Sequence, residues 1–229
     1  MRKRQLLAVS RHGHSDANAA LAEESADALY YSVAGCDRNV GLTRLGVMQG
    51  TASGDIIRGL LTPDDDPFES VFCTRFRRVR RSTNLIVKRL PNKPKVKPDN
   101  RLNKRLYGDF WNLTRRGVEL LHPDEWLRYQ EEGDFLYRPP NGENYPDLFH
   151  RVDDFIADEV TPSSGNILVV THSVVVLAFM RALEGLSEAE VVQMYEDITL
   201  PNGVVVLYER TAENPVWKRI AMCAPDISI

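Results

Sequence analysis

The segments "LLAVSRH" (Leu6 to His12) and "ILVVTH" (Ile167 to His172) decide how this chain reads. Each runs through four aliphatic residues and a small hydroxyl residue to a histidine, directly in the second and after one arginine in the first. Short unbroken aliphatic runs are the mark of strands buried on both faces of a parallel sheet. A charged or titrating side chain left in that interior costs on the order of several kcal/mol unless it is paired or hydrated. Each strand is therefore expected to surface where its histidine stands. If both are central parallel strands, His12 and His172 emerge at the carboxyl edge of the sheet, where open α/β sheets place their ligands. Two imidazoles then face one crevice.

Outward from this pair, "SVFCT" and "GVVVLY" read as further buried strands and "VWKRIAM" as an edge strand. Between them lie helical patterns. In "FRRVRRSTNLIVKRL" the residues Phe76, Val79, Thr83, Ile86 and Leu90 recur at helical spacing with arginines on the other faces, and Leu148, Val152, Phe155, Ile156 and Val160 form a second stripe. "THSVVVLAFMRAL" enters a mostly apolar, buried helix, and Ser187 with Glu190 opens another as a capping box. Strands alternating with helices predict a three-layer α/β/α fold around a mostly parallel central sheet. The stretch from Lys93 to Tyr145 is richer in Pro, Gly and charge and reads as an excursion over the sheet edge, so residues 1–229 are expected to form a single domain.

Composition narrows the class. Hydrophobic residues make up 43% and charged residues 27%, which fits an ordinary globular chain long enough to bury a sizeable core. Cys36, Cys73 and Cys223 are odd in number and form no CxxC pair, so a disulfide framework and a zinc knuckle are both unsupported. The basic start "MRKR" is followed by an apolar run too short for a signal peptide, and no run is long enough to span a bilayer. A cytoplasmic location with no membrane partner is expected. Net charge is −3, yet between Arg75 and Arg105 the chain carries thirteen Lys or Arg against one acid, Asp99. That asymmetry suits an anion, or else a solvated basic face. Nucleic acid fits poorly, because aromatic residues for base stacking are sparse there.

Arginine placement sharpens the chemistry. Arg11 precedes His12, and "SVFCTRFRRVRR" gathers arginines just beyond a third strand at the start of a helix. Cations at a helix N-terminus oppose the macrodipole, so an anion explains them better than helix stability does. A guanidinium stays charged and offers a planar fork of donors to phosphate oxygens. Metal ligation finds no carboxylate at ligand spacing from either histidine, serine nucleophiles lack a GxSxG elbow, and no nucleotide-binding glycine loop is present. His14, His122 and His150 lack the strand-end context and are read as surface or packing residues.

"SRHGHSDAN" resembles the RHG signature of the histidine phosphatase superfamily, the phosphoglycerate-mutase-like enzymes. "GLTRLGVMQG" is similar to that family's LTxxGxxQA helix, "VFCTRFRRVRRST" to its SSxLxRAxxTA segment and "YRPPNGENYPDLFHRV" to its PxGES segment. "ILVVTHS" stands where the second histidine motif, usually SHG, is expected. The resemblance implies a phosphoglycerate-mutase-like fold and covalent phosphoryl transfer without cofactor or metal. By carry-over, His12 attacks phosphorus, while Arg11, Arg78 and His172 hold the phosphoryl oxygens. Asn18 and Ser15 line the pocket, Ser173 replaces a family glycine, and Arg105 and Tyr107 stand where mutase-like relatives contact substrate. The implied partner is a phosphorylated small molecule or phosphate itself. Water resolves the intermediate in a phosphatase, whereas a mutase returns the phosphoryl group to substrate.

One position departs from the family. "RLNKRLYGDF" resembles the LNERxYG segment whose glutamate protonates the leaving oxygen, but that place is held by Lys104. Three readings stay open: Glu143 or Asp109 supplies the proton, Lys104 itself binds phosphate or donates, or turnover is lost and the site only binds phospholigands. A phosphomonoesterase weakened by this exchange leads, a regulatory pseudoenzyme follows and a mutase comes third. The basic stretch from Lys88 to Arg105 is read as a recognition surface for a second phosphate or carboxylate, and the insertion after Asn18 as a lid.

Overall fold

The computed structural model describes residues 4–23, 25–33, 35–197 and 200–227. Six strands, β1 (Gln5–Arg11), β2 (Phe68–Cys73), β3 (Lys95–Pro98), β4 (Asn166–Thr171), β5 (Val205–Arg210) and β6 (Lys218–Cys223), form one sheet in the order β3-β2-β4-β1-β5-β6. The β1/β4, β2/β4 and β2/β3 pairs are parallel, and β5 and β6 add antiparallel to the β1 side. The sheet is thus mixed, with its parallel part around the two histidine strands. β3 was not legible as a strand: Lys95, Val96, Lys97 and Pro98 form a short polar edge that pairs with β2. Lysines and a proline on an edge discourage further strand addition.

Alternation along the strands sorts the core into two halves. Leu7, Val9, Phe72, Ile167, Val169 and Val206 face one side. There they meet α6 (Tyr145–Phe155) and the apolar α7 (Ser173–Glu184), with α8 (Glu188–Asp197) behind. Leu6, Ala8, Val71, Cys73, Leu168 and Val170 face the other, covered by α2 (Arg44–Leu60) and α3 (Arg77–Val87) through Ile57, Val79 and Ile86. This is the three-layer α/β/α arrangement. Ser187 and Glu190 form the expected cap: the Ser187 N–H donates to the Glu190 carboxylate at 2.8 Å, and the Glu190 N–H to Ser187 Oγ at 3.3 Å. Among the described residues no helix is long and apolar enough to cross a membrane.

The remaining helices, α1 (Asp16–Ala22), α4 (Arg115–Leu121) and α5 (Pro123–Leu136), belong to two segments that cross the carboxyl edge of the sheet. These segments are fastened together. Tyr31 donates its N–H to the Asn112 carbonyl at 3.0 Å, Thr114 its N–H to Leu29 at 3.1 Å, and the Thr114 hydroxyl donates to Ala28 at 2.6 Å. The insertion after Asn18 therefore forms a wall sewn to the excursion.

Candidate active site

β1 ends at Arg11 and β4 at Thr171, which are register partners, and the His12 N–H donates to the Thr171 carbonyl at 2.9 Å. Parallel pairing of two strands that both stop at a histidine leaves the imidazoles no choice but to be neighbours. The ring centroids of His12 and His172 lie 5.1 Å apart at 76°. Both are buried.

The turn after β1 is held by close backbone packing. A Cβ on Gly13 would lie 2.2 Å from the Gly46 carbonyl oxygen, and a Cβ on Gly46 would lie 1.9 Å from that of His14. Only glycine allows this approach of the turn to α2. Ser82 of α3 accepts the Gly13 N–H at 3.1 Å, and Gln49 of α2 accepts the His14 N–H at 2.7 Å. Two helices from one face of the sheet thus fix the turn that carries His12.

The His12 ring is oriented by its own chain. Its Nδ1 lies 2.7 Å from the Gly13 carbonyl oxygen. A carbonyl only accepts, so Nδ1 carries the proton and Nε2 keeps its lone pair. Burial, then the charges of Arg78 and Arg11, hold its pKa well below the ordinary histidine value. His172 is held low by burial and by Arg78 and His12. Its Nε2 and the Arg11 Nε are buried without a hydrogen-bond partner among the described residues. Arg11 donates from Nη1 to the Leu200 carbonyl, and desolvation pushes its pKa down to about 10.

Of the arginines gathered after β2, only Arg78 enters the site. It is 3% exposed, whereas Arg75, Arg77, Arg80 and Arg81 are exposed and make up a solvated helix face. Phe76 keeps Arg78 and His172 in place: the guanidinium lies 4.9 Å from its ring centroid, and the His172 ring meets it edge-on at 5.1 Å. Sequence reading assigned Phe76 to packing alone.

A carboxylate that sequence reading missed completes the electrostatics. Asp37, in a 3-10 turn of the insertion (Asp37–Asn39), accepts from Arg78 Nη1 at 2.9 Å and from Lys104 Nζ at 2.6 Å, and its backbone carbonyl accepts from Arg78 at 2.8 Å. Burial pushes its carboxyl pKa up, but Lys104 and Arg78 outweigh this and the net shift is downward. Lys104 itself is lowered by desolvation, partly offset by Asp37. Nothing local marks Asp37, since its partners are 41 and 67 residues away in the chain.

The other expected residues divide. Ser15, Asn18, Lys104, Arg105, Tyr107 and Ser173 all line the pocket that opens over His12, a cavity of about 400 Å³. Ser15 caps α1 and donates from Oγ to Asn18 Oδ1 at 2.9 Å, so these two side chains mainly shape the turn. Arg105 is 2% exposed and spent on structure, donating to Asp134 at 3.0 Å, to the Glu143 carbonyl at 2.9 Å and to the Tyr137 carbonyl at 2.8 Å. Glu143 is not brought to the imidazoles. Arg151 holds both of its oxygens, at 2.8 and 2.9 Å, and the Leu106 N–H donates to one of them at 3.1 Å. Asp109 likewise lies outside the pocket, 3.0 Å from the Asn141 amide. The basic stretch from Lys88 does not form a second anion surface at the site either, because only Lys104 and Arg105 of it reach the pocket. Arg89 pairs with Asp55, and Arg101 with Asp99 and Asp158.

Comparison with known proteins places the chain in a family. A phosphoglycerate mutase dependent on 2,3-bisphosphoglycerate from Methylobacterium radiotolerans is 27% identical over 222 residues, 95% of each chain. Its namesake from Mesorhizobium japonicum is 28% identical over 185 residues, 78% of this chain and 84% of its own. Among solved structures, the α-ribazole phosphatase of Shigella flexneri superposes with a TM-score of 0.74 at 20% identity, over 98% of this chain and 99% of its own. The mycobacterial glucosyl-3-phosphoglycerate phosphatase gives 0.66 at 20%, over 96% and 100%. The family model for branch 1 of the histidine phosphatase superfamily matches residues 7–222, from the first histidine strand to the last strand of the sheet, and the chain belongs to that superfamily.

Proposed function

We propose that this protein is a phosphomonoester hydrolase acting on phosphorylated small molecules through a phosphohistidine on His12. The observation that carries the reading is the imidazole pair at 5.1 Å, with His12 Nε2 unprotonated and Arg11 and Arg78 near enough to depress its pKa. The Nε2 lone pair forms the N–P bond as the ester P–O bond breaks. Arg11 and Arg78 neutralise the phosphoryl oxygens, and His172 donates an N–H to one of them. The Lys104 ammonium, made more acidic by its burial, gives a proton to the leaving oxygen and becomes an amine. A water oxygen then attacks phosphorus, the N–P bond breaks and the water proton returns to Lys104. Phosphate leaves, and His12 is restored neutral.

The Asp37 ion pair favours a second reading. A lysine ion-paired at 2.6 Å to a carboxylate stands where the family motif has a glutamate, which suits a phospholigand binder without turnover. A mutase ranks third, although curated relatives carry that name, because returning the phosphoryl group to substrate calls for a pocket closed to water. Here Tyr107 and Trp111 on the pocket wall are exposed.

Steady-state hydrolysis of p-nitrophenyl phosphate and propyl phosphate, with acid-quenched trapping of labelled enzyme, separates these readings. The hydrolase turns over both, forms an acid-labile phosphoenzyme and loses it in His12→Ala. Lys104→Met is expected to lower propyl ester turnover by about a hundredfold or more and to spare the aryl ester, whose leaving group needs no acid. Failure to turn over either ester, with phosphate still bound, selects the binder.

A further inference from the structure

The pocket carries a second chemical character beyond its phosphoryl end. Among the described residues only three Phe, Tyr or Trp side chains are exposed, and two of them, Tyr107 and Trp111, line this one cavity. Deeper in the same wall, Trp126 and Tyr129 are half-buried and stacked at 5.2 Å and 19°. Leu21 of the insertion faces the cavity at 55% exposure. Exposed aromatic and aliphatic side chains that converge on one concavity mark where an apolar body is received.

The charges in the same cavity argue against an anionic body. Arg11 and Arg78 belong to the phosphoryl end. Lys104 is paired with Asp37, and Arg105 is paired with Asp134 and buried. Arg115, on the exposed rim, lies over the Tyr129 ring at 5.9 Å. A single exposed cation pairs weakly with a carboxylate or a second phosphate. Its place over the ring extends the aromatic surface instead.

We propose that the pocket selects monophosphate esters whose body is a flat, uncharged aromatic group carried on the phosphate oxygen, and discriminates against small phosphorylated acids and bisphosphates. The ring system lies along Tyr107, Trp111 and the Trp126/Tyr129 stack while the phosphate reaches His12. This deepens, and rests on, the reading of the site as a phosphomonoesterase.

The test uses three esters with alkyl leaving oxygens, so that leaving-group chemistry is matched: 2-(1-naphthyl)ethyl phosphate, propyl phosphate and 3-phosphoglycerate. The naphthyl ester is expected to exceed the other two in kcat/KM by at least tenfold. Trp111→Ala and Trp126→Ala are each expected to cut that ratio by at least fivefold. Calorimetry on the unmodified protein with 2-(1-naphthyl)ethylphosphonate and propylphosphonate reads the same preference without turnover. A tenfold binding preference for the naphthyl phosphonate with no hydrolysis of any ester upholds the ligand class and overturns the hydrolase. Equal or better use of 3-phosphoglycerate or the propyl compounds, or no measurable binding of the naphthyl phosphonate, overturns the proposal.

Discussion

Replacing Asp37 by Asn is expected to tighten the binding of inorganic phosphate. In the free protein the Asp37 carboxylate sits 2.9 Å from Arg78 Nη1 and 2.6 Å from Lys104 Nζ, so a phosphate gripped by Arg78 lies near a fixed negative charge. An anion sharing the same guanidinium fork comes within about 6 Å of that carboxylate. A dianion against a monoanion at this distance is repelled by about 1.4 to 2.8 kcal/mol for effective dielectric constants of about 80 to 40, which suit a pocket open to water. Removing the charge should therefore lower the phosphate Kd by about 10- to 100-fold in titration calorimetry. The same change strips a partner from two desolvated cations. As the Asp37 side chain is 17% exposed, the loss in stability is expected at about 1 to 3 kcal/mol without phosphate. Saturating phosphate should restore much of it. The pH dependence has a definite sign. The folded carboxyl pKa is depressed below 3.8, so its stabilisation is present above that value and fades as pH falls through the folded pKa. The melting difference between the two proteins should close in strong acid. An unchanged or weaker phosphate affinity in Asp37→Asn would refute the placement of this carboxylate beside the phosphoryl site.

Because burial and the neighbouring arginines keep His12 neutral, the acid limb of kcat/KM for p-nitrophenyl phosphate should lie below pH 6.5, and a limb above it would contradict the electrostatics of the site. Both buried histidines have folded pKa values below the unfolded one, so they take stability away as pH drops below about 6.5, measurable as a falling melting temperature. Gly46→Ala should cost about 3 kcal/mol or more in chemical denaturation and reduce turnover with it, since its methyl group would lie 1.9 Å from the His14 carbonyl oxygen. Arg105→Ala removes a buried guanidinium from a half-exposed carboxylate and two carbonyls, and about 2 to 4 kcal/mol is expected in the same assay. A loss near zero would show the excursion to be held by other contacts.

The histidine pair was legible because periodicity is local. An aliphatic run long enough for one buried strand, ending in a residue that cannot stay buried unpaired, states both where the strand is and where it surfaces. Two such runs placed His12 and His172 at one sheet edge before any geometry was known. Arg78 was legible only through the family motif, since five arginines crowd the start of α3 and spacing alone does not tell the one that turns inward from the four that face water. β3 escaped notice because a polar, four-residue edge strand buries little and so leaves almost no apolar pattern.

The sequence by itself determined the five apolar strands, the principal helices packed on them and the pairing of the two histidine strands, all of which rest on short-range patterns. The tertiary structure alone decided that Asp37 pairs with Arg78 and Lys104, that Glu143 and Arg105 are spent bracing the wall, and that the aromatic side chains share the cavity of His12. Such ion pairs and convergences join residues dozens of positions apart. Chain closure, and no repeat in the sequence, brings them together.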